Sequence, residues 1–415
     1  MANPIRGTIA LIRAAYVLAR EGVVTSLPTE GLTAGPLLAY RFAGFLARKS
    51  ADEAERSEKL SRALNRLGPS YVKLGQFLAT RPDIVGLKIA TELSSLQDSV
   101  PPFPRAEAVA EIEASLGRKI DELFVEFGPV VGAASIAQVH KATVRDRDGS
   151  LRDVAVKVIR PRVRQRFRAE LETFAFIAAI LERFVRSSRR LRPVAVVETL
   201  AQSTRIEMDL RLEAAASSEM AENVVDDPGF RVPVIDWERT GRDVLTMEWV
   251  DGIKMNDVAA ITAAGHDLPA LGINVVQSFL RHSMRDGFFH ADMHPGNLFA
   301  DHNGRLVAVD FGIMGRLTPR ERLFLAEILH GFITRNYLRV AQVHFDAGYV
   351  PQYQDVATFA QALRAIGEPI MDRPAHEISM ARLLTQLFEV TGQFDMHTQP
   401  QLLLLQKTMV VVEGV

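Results

Sequence analysis

The chain contains no cysteine, which excludes disulfide bridges, thiolate metal sites and cysteine nucleophiles and is compatible with a reducing compartment. Nor does it have an uninterrupted apolar run of about 18 residues, the length a conventional membrane-spanning helix needs. Arg13 breaks the stretch from Thr8 to Ala19, and Arg41 breaks the one around Leu37 to Leu46. The opening Met1-Ala2-Asn3-Pro4-Ile5-Arg6 has neither the apolar core nor the small-residue cleavage site of a signal peptide, so the mature chain is expected to begin near it. An excess of one charge is missing too. With 49 Lys+Arg against 50 Asp+Glu the formal net charge is -1, so the positive field that dominates nucleic-acid affinity is absent and no nucleic-acid partner is expected. There is no internal repeat and no low-complexity tract.

What is present is an ordinary globular composition. The chain has 415 residues, of which 47% are hydrophobic, enough for a large core and two or three domains or lobes. Residues 5–25 and 31–66 read as amphipathic helices in which Arg and Lys alternate with Leu, Ala, Ile and Phe, suited either to packing on the protein itself or to lying on a membrane surface. Pro101, Pro102 and Pro104 mark Asp98 to Pro104 as a linker. Arg105 to Leu116 reads as a helix, and Phe127 to His140 and Val154 to Ile159 as strands around a polar turn at Arg145 to Gly149. Helical patterns cover Arg162 to Val185 and Val196 to about Asn223. Strand patterns follow at Val232 to Ile235 and Val244 to Val250, and from about Asp257 the chain reads as mostly helical. Leu402 to Val415 keeps an apolar helical pattern without a stop signal, as expected of a chain cut inside a longer protein.

The most informative segment is Phe289-His290-Ala291-Asp292-Met293-His294-Pro295-Gly296-Asn297, followed by Val309-Asp310-Phe311-Gly312. Protein kinases space a catalytic Asp and a magnesium-binding Asn as H-R-D-x-x-x-x-N and supply a second metal ligand from D-F-G. His290, Asp292, Asn297 and Asp310 fill those places. Either motif alone is frequent by chance. Here Leu298 to Ala300, a turn at Asp301-His302-Asn303-Gly304 and Arg305 to Val309 read as a hairpin joining them, which would bring Asn297 and Asp310 onto one cation.

Upstream, Val154-Ala155-Val156-Lys157 matches V-A-I-K, whose Lys contacts the α and β phosphates of a nucleotide and pairs with a helical Glu. A solvent-facing Lys at a strand end is the alternative. Aligning Val139 with the valine of G-x-G-x-x-G-x-V gives Gly132-Ala133-Ala134-Ser135-Ile136-Ala137-Gln138-Val139. Alanines at 134 and 137 limit how closely the backbone can drape over phosphates. The glutamate partner of Lys157 is open between Glu207 and Glu213, with Asp209 and Glu213 spaced to share a helix face. Leu245 to Gly252 would form the hinge between lobes, where backbone groups of Glu248 and Val250 could meet adenine, or is a strand entering a turn. The expectation is an α+β, two-lobed protein-kinase-like fold with a helical N-terminal extension. Its parts would be an extension over 1–104, an N-lobe with inserted helices over 105–252 and a mostly helical C-lobe over 253–415.

From Leu64 to Gly315 these residues resemble the UbiB proteins, an atypical kinase-like group that includes mitochondrial ADCK proteins linked to coenzyme Q. Lys73-Leu74-Gly75-Gln76 looks like that family's K-x-G-Q, Gly132 to Ser135 like its alanine-rich loop, Glu207-Met208-Asp209 like its E-x-D, and His290 to Asn297 like its H-A-D-P-H-P-G-N. Met293 departs where Pro is frequent, and Gly132 where Ala is usual. The resemblance implies an extension folded over the peptide-acceptor site, with Lys73 capping the nucleotide pocket, Gln76 and Glu207 beside it, and ATP and Mg2+ as cofactors. It further implies ATP hydrolysis in support of ubiquinone or prenyl-lipid biosynthesis. Membrane lipids or prenylated ubiquinone precursors would then be partners, alongside ubiquinone-biosynthesis proteins. The expected location is the cytoplasmic face of the inner membrane, peripheral or held by a C-terminal tail absent from this chain. Two alternatives stand beside it, a true protein or small-molecule kinase and a nucleotide-gated lipid-binding module.

Overall fold

A computed structural model describes residues 4–23, 59–79, 101–184 and 192–371, together with 85, 89, 92, 93, 96, 390, 392–396, 405, 408, 409, 411 and 412. The expected helical pattern over 31–58, the start of the 98–104 linker, Val185 and most of 402–415 lie outside the described residues. The chain forms two compact units, one from residues 1–214 and 235–249 and the other from 215–234 and 250–415.

The first unit is built on an antiparallel sheet of β1 (Glu126–Ala133), β2 (Ala137–Arg145), β3 (Leu151–Ile159) and β5 (Val244–Glu248), in the order β1-β2-β3-β5. In β3, side chains alternate across the pleat. Val154, Val156 and Val158 are fully buried in one cluster with Ala108 and Ile112 of the helix Arg105–Leu116. That helix has the bounds the sequence implied, closed by Gly117 in the left-handed region at φ 68. On the opposite face Ala155 packs into a second cluster with Phe167, Met208, Leu210, Ala214 and Leu245. Lys157 shares the parity of Ala155, so its face is the one the helix Leu210–Asn223 covers.

Three expectations need correction. Phe127 to His140 is not one strand but spans the end of β1 and the start of β2, with a turn at 134–136 between them. The helical pattern from Val196 to Asn223 is two helices, Pro193–Glu207 and Leu210–Asn223. The Asp209 carboxylate accepts from the backbone N–H of Arg211, and the Leu210 N–H donates to the Arg242 carbonyl, so local capping replaces helix continuation. Val232 to Ile235 is not a strand either. The paired residues are Phe230–Arg231 (β4), and Ile235 makes a single bridge to Met247. Pro233 has no N–H to give a ladder.

The second unit holds a four-stranded sheet, in the order β4, β9 (Leu306–Ala308), β8 (Leu298–Asp301) and β6 (Gly252–Lys254), and a two-stranded one. In the latter, β7 (Phe288–His290) pairs antiparallel with β10 (Met314–Arg316). The expected hairpin is there: Leu298 faces Ala308, and the turn closes through the Gly304 N–H to the Asp301 carbonyl, with Gly304 at φ 75. Helices Leu268–Arg281, Pro319–Ile333, Tyr337–Asp346 and Val356–Gly367 make up much of the remainder. Among the described residues no helix is long and apolar enough to cross a membrane.

Candidate functional site

In the first unit the loop between β1 and β2 carries the glycine-and-alanine segment. Gly132 lies opposite Val139 and Ala133 opposite Gln138, and the Ala134 N–H donates to the Ala137 carbonyl, closing the turn. Ser135 is wholly buried. Gly132 has no positive φ, and a Cβ added there would meet nothing within 4 Å, so its backbone makes no demand that only glycine meets. Sequence reasoning missed what braces the loop. The Arg160 N–H donates to the Ile136 carbonyl at 2.7 Å, and its guanidinium donates to Ala134 O at 3.2 Å and Pro101 O at 3.0 Å. No spacing rule points to an Arg at a strand end for this. Beside it the buried Gln138 clasps both backbone groups of Phe103 and donates to Nε2 of His140, whose Nδ1 bonds to Gly128 O. Burial holds the His140 pKa below its ordinary value, in keeping with a neutral ring.

Lys157 pairs across the sheet with Val139 and Leu245. Its Nζ lies 2.8 and 3.0 Å from the two carboxylate oxygens of Glu213, which sits in the first turn of Leu210–Asn223. A helix N-terminus favours that negative charge. The choice left open between Glu207 and Glu213 is thereby answered: Glu207, the last residue of Pro193–Glu207, is 2.6 Å from Nζ of Lys73 instead. Both pairs are largely enclosed. The corner between the helices works as a divider, with Glu207 facing Lys73, Met208 buried, and Asp209 capping the helix that presents Glu213 to Lys157. Arg211 and its backbone N–H hold the Asp209 carboxyl below the usual range.

Lys73 lies on the helix Pro69–Ala79, whose Tyr71, Leu74 and Phe77 pack on Phe174, Ala178, Val197 and Leu200. Gly75 is required by close packing, since a Cβ there would stand 2.4 Å from Leu96 Cδ1 and 2.6 Å from Leu64 Cδ1. Gln76 follows it, half-buried. Glu248 ends β5 opposite Val154; Trp249 adds one further bond to Asp153 O, and Val250 lies beyond the strand.

In the second unit His290 is buried at the end of β7. Its Nε2 bonds to Val309 O at 3.0 Å while Nδ1 accepts the Asp292 N–H at 3.1 Å, a pattern that needs the neutral tautomer. Burial lowers its pKa accordingly. The Asn297 amide donates to Asp292 O at 3.1 Å, and Val309 N–H donates to Asn297 O at 2.9 Å, so hairpin register sets Asn297 across from the residue before Asp310. Asp310 itself has φ 63, an uncommon conformation for a non-glycine residue and one that clusters at functional sites.

Asn297 and Asp310 offer one amide oxygen and one carboxylate. That sparse oxygen set is what magnesium takes when phosphates and waters complete its shell, so the donor chemistry fits. No group of three or more His, Asp or Glu that could hold a metal occurs among the described residues.

A β3 Lys paired with a helical Glu, and an H-x-D loop joined by a hairpin to D-F-G, define a protein-kinase-like fold. Comparison with known proteins narrows the class. Residues 95–344 match the ABC1 atypical kinase-like domain, and 363–415 the UbiB helical domain. A Marinobacter nauticus protein described as "Probable protein kinase UbiB" is 40% identical over 409 residues, 97% of this chain and 74% of that one. A Shewanella denitrificans protein of the same description is 40% identical over 375 residues, 89% of this chain and 68% of that one. Among solved structures, a Mycobacterium tuberculosis Rv3197–erythromycin complex matches with TM-score 0.54 and 26% identity over 87% of this chain and 97% of that one. The chain belongs to the ABC1/UbiB family of atypical kinase-like proteins.

Proposed function

We propose that this protein binds Mg-ATP and hydrolyses ATP slowly, in support of ubiquinone or a related prenyl-lipid biosynthesis at a membrane surface. The observation that carries the reading is the enclosed Lys157–Glu213 pair, 2.8 Å apart, on the strand and helix where a kinase holds its phosphate-binding Lys. Lys157 would contact the α and β phosphates, and Asn297 and Asp310 would hold the magnesium. Asp292 would orient the attacking water or hydroxyl. The Gly132–Val139 segment would lie along the phosphates, with Glu248 and Val250 backbone groups at the adenine and Lys73 and Gln76 of the extension capping the pocket. When bound, Mg-ATP supplies the phosphoryl group and its counter-charge; the protein's part is positioning and electrostatic complementarity.

Engagement of Lys73 by Glu207 supports a seated extension that excludes a peptide hydroxyl, so turnover is expected well below the roughly 1–100 per second of ordinary kinases. A second reading, a nucleotide-gated module that binds or presents a lipid, draws on the erythromycin complex of the mycobacterial relative, which records a bulky small molecule on a similar fold. The test is ATP hydrolysis with and without magnesium, liposomes and phenolic lipid precursors. Slow magnesium-dependent hydrolysis stimulated by lipid is the expected result. Efficient labelling of protein acceptors from radiolabelled ATP would replace this reading with a true kinase, and absence of both hydrolysis and nucleotide binding would overturn it.

A further inference from the structure

The loop residue between His290 and Asp292 is Ala291, where the kinase pattern carries Arg. Its side chain is buried, so communication with the loop at this position is left to the main chain. The Ala291 N–H donates to the Ile313 carbonyl at 3.0 Å. Its carbonyl accepts the hydroxyl of Thr408 at 2.9 Å, a buried contact across 117 residues of sequence. Thr408 comes from the apolar stretch near the C-terminus, where Leu405, Thr408, Met409 and Val412 are all helical and fall at the i, i+3, i+4, i+7 spacing of one helix face. That face is not idle. Leu405 and Val412 belong to the core cluster that contains Phe289, Ala291, Met293 and Phe311, and Met409 packs against it. Thr408 is the one polar residue of the four, and it is aimed at the backbone one residue before Asp292.

We propose that Thr408 is a positioning residue for the catalytic loop, and that the C-terminal helical segment thereby sets the orientation of Asp292 and the rate of turnover. The inference rests on the function proposed above for Asp292, but its structural half stands independently. Three apolar residues seat the segment, whereas the hydroxyl holds the carbonyl side of the Ala291–Asp292 peptide, whose N–H side is held by Nδ1 of His290, and so helps to set the direction in which Asp292 leaves. Any partner or membrane that pulled on the segment would disturb this bond and the apolar packing around Ala291 together.

The test uses the full chain with Thr408→Val, which keeps shape and removes the hydroxyl, and Thr408→Ser, which restores it. Two readouts are needed: amide hydrogen exchange over residues 290–297, and ATP turnover alongside nucleotide affinity. The expected result for Thr408→Val is exchange across 290–297 faster by about two- to tenfold, the scale of one buried hydrogen bond, with kcat lowered to a similar degree and nucleotide affinity unchanged. Thr408→Ser should return both to wild-type values. Unchanged exchange in Thr408→Val overturns the positioning role. Loosened exchange with unaltered kcat, or a fall in kcat not rescued by Ser, overturns the link to turnover. A wild-type chain that never hydrolyses ATP counts against the proposed function alone, because the exchange measurement still decides whether Thr408 holds the loop.

Discussion

The two units place their chemistry-bearing residues by different means. In the first, Lys73 and Lys157 are long side chains held at their tips, each by a glutamate on its own helix. In the second, Asp292, Asn297 and Asp310 are short, and bonds to their main-chain groups (the Asp292 N–H to Nδ1 of His290, the Asn297 amide to Asp292 O, the Val309 N–H to Asn297 O) together with the left-handed backbone of Asp310 fix where they stand. The difference follows from side-chain entropy. Ordering a lysine costs about 1.5–2 kcal/mol of rotamer freedom, so a cation at the end of a four-carbon stem needs a partner at that end. An aspartate or asparagine is aimed once its backbone is. Damage should therefore be local and chemical in the second unit, and should mix chemistry with stability in the first.

The sharpest way to break this comparison is Asp310→Asn. Asn tolerates positive φ nearly as well as Asp, so the backbone should stay and only the charge should go. Turnover is expected to fall by orders of magnitude with the thermal midpoint little changed. A folded variant that keeps magnesium-dependent hydrolysis would show that Asp310 does not hold the metal.

Lys157→Met tests the other unit, and here stability should move too. Removing one member of an enclosed pair takes from the buried Glu213 carboxylate its lysine, a loss on the order of 3 kcal/mol, together with loss of nucleotide binding. Adding Glu213→Leu should recover most of the stability and none of the binding. Calorimetric melting with nucleotide titration separates the two; recovery of both would mean that the pair serves the fold only.

Acid should distinguish the units as well. Burial lowers the pKa of His282 from 6.5 to about 4, against the attraction of Asp227 and Asp286. The unfolded chain takes up that proton near pH 6.5 and the folded one only near pH 4, so stability from this residue is complete above pH 6.5 and is lost as the pH falls towards 4. The loss is on the order of 3 kcal/mol. His290 and His344 are shifted the same way in the second unit, and only His140 among the described residues in the first. Hydrogen exchange between pH 7 and about 4.5 should show the second unit losing protection first. Equal loss in both would contradict this.

Much of this arrangement was legible in the sequence, and the gaps have physical causes. The 298–309 hairpin could be read because Asn303-Gly304 supplies the turn, and Arg105–Leu116 because Pro104 and Gly117 bracket it. The partner of Lys157 could not, since Glu207 and Glu213 lie on what reads as one helix. The break at Met208–Asp209 depends on the Arg242 carbonyl, 32 residues beyond Leu210. The contact of Thr408 was hidden for a similar reason: an apolar face announces burial, but not against what. No pattern marks Arg160 as the brace of the alanine-bearing loop.

The smallest expected effects compare glycines. A Cβ at Gly75 would press on Leu96 and Leu64, and one at Gly315, on β10 in the second unit, would stand 2.1 to 2.5 Å from ring atoms of Phe289, the neighbour of His290. Overpacking of this kind costs about 1–3 kcal/mol. Because Gly75 seats the helix of Lys73, Gly75→Ala should lower the melting point and loosen the Lys73–Glu207 pair while leaving the main-chain geometry of the catalytic loop alone. Gly315→Ala should lower the melting point and also kcat, because Phe289 is the chain neighbour of His290, whose ring holds the Asp292 N–H. Gly132→Ala is the control: open space and an ordinary φ predict a change within about 0.5 kcal/mol. Melting curves and turnover for the three variants decide it. A Gly315→Ala protein with reduced stability but unaltered kcat would mean that the catalytic loop is insulated from the core beneath it, and the contrast between side-chain and main-chain placement would then lose its consequence for turnover.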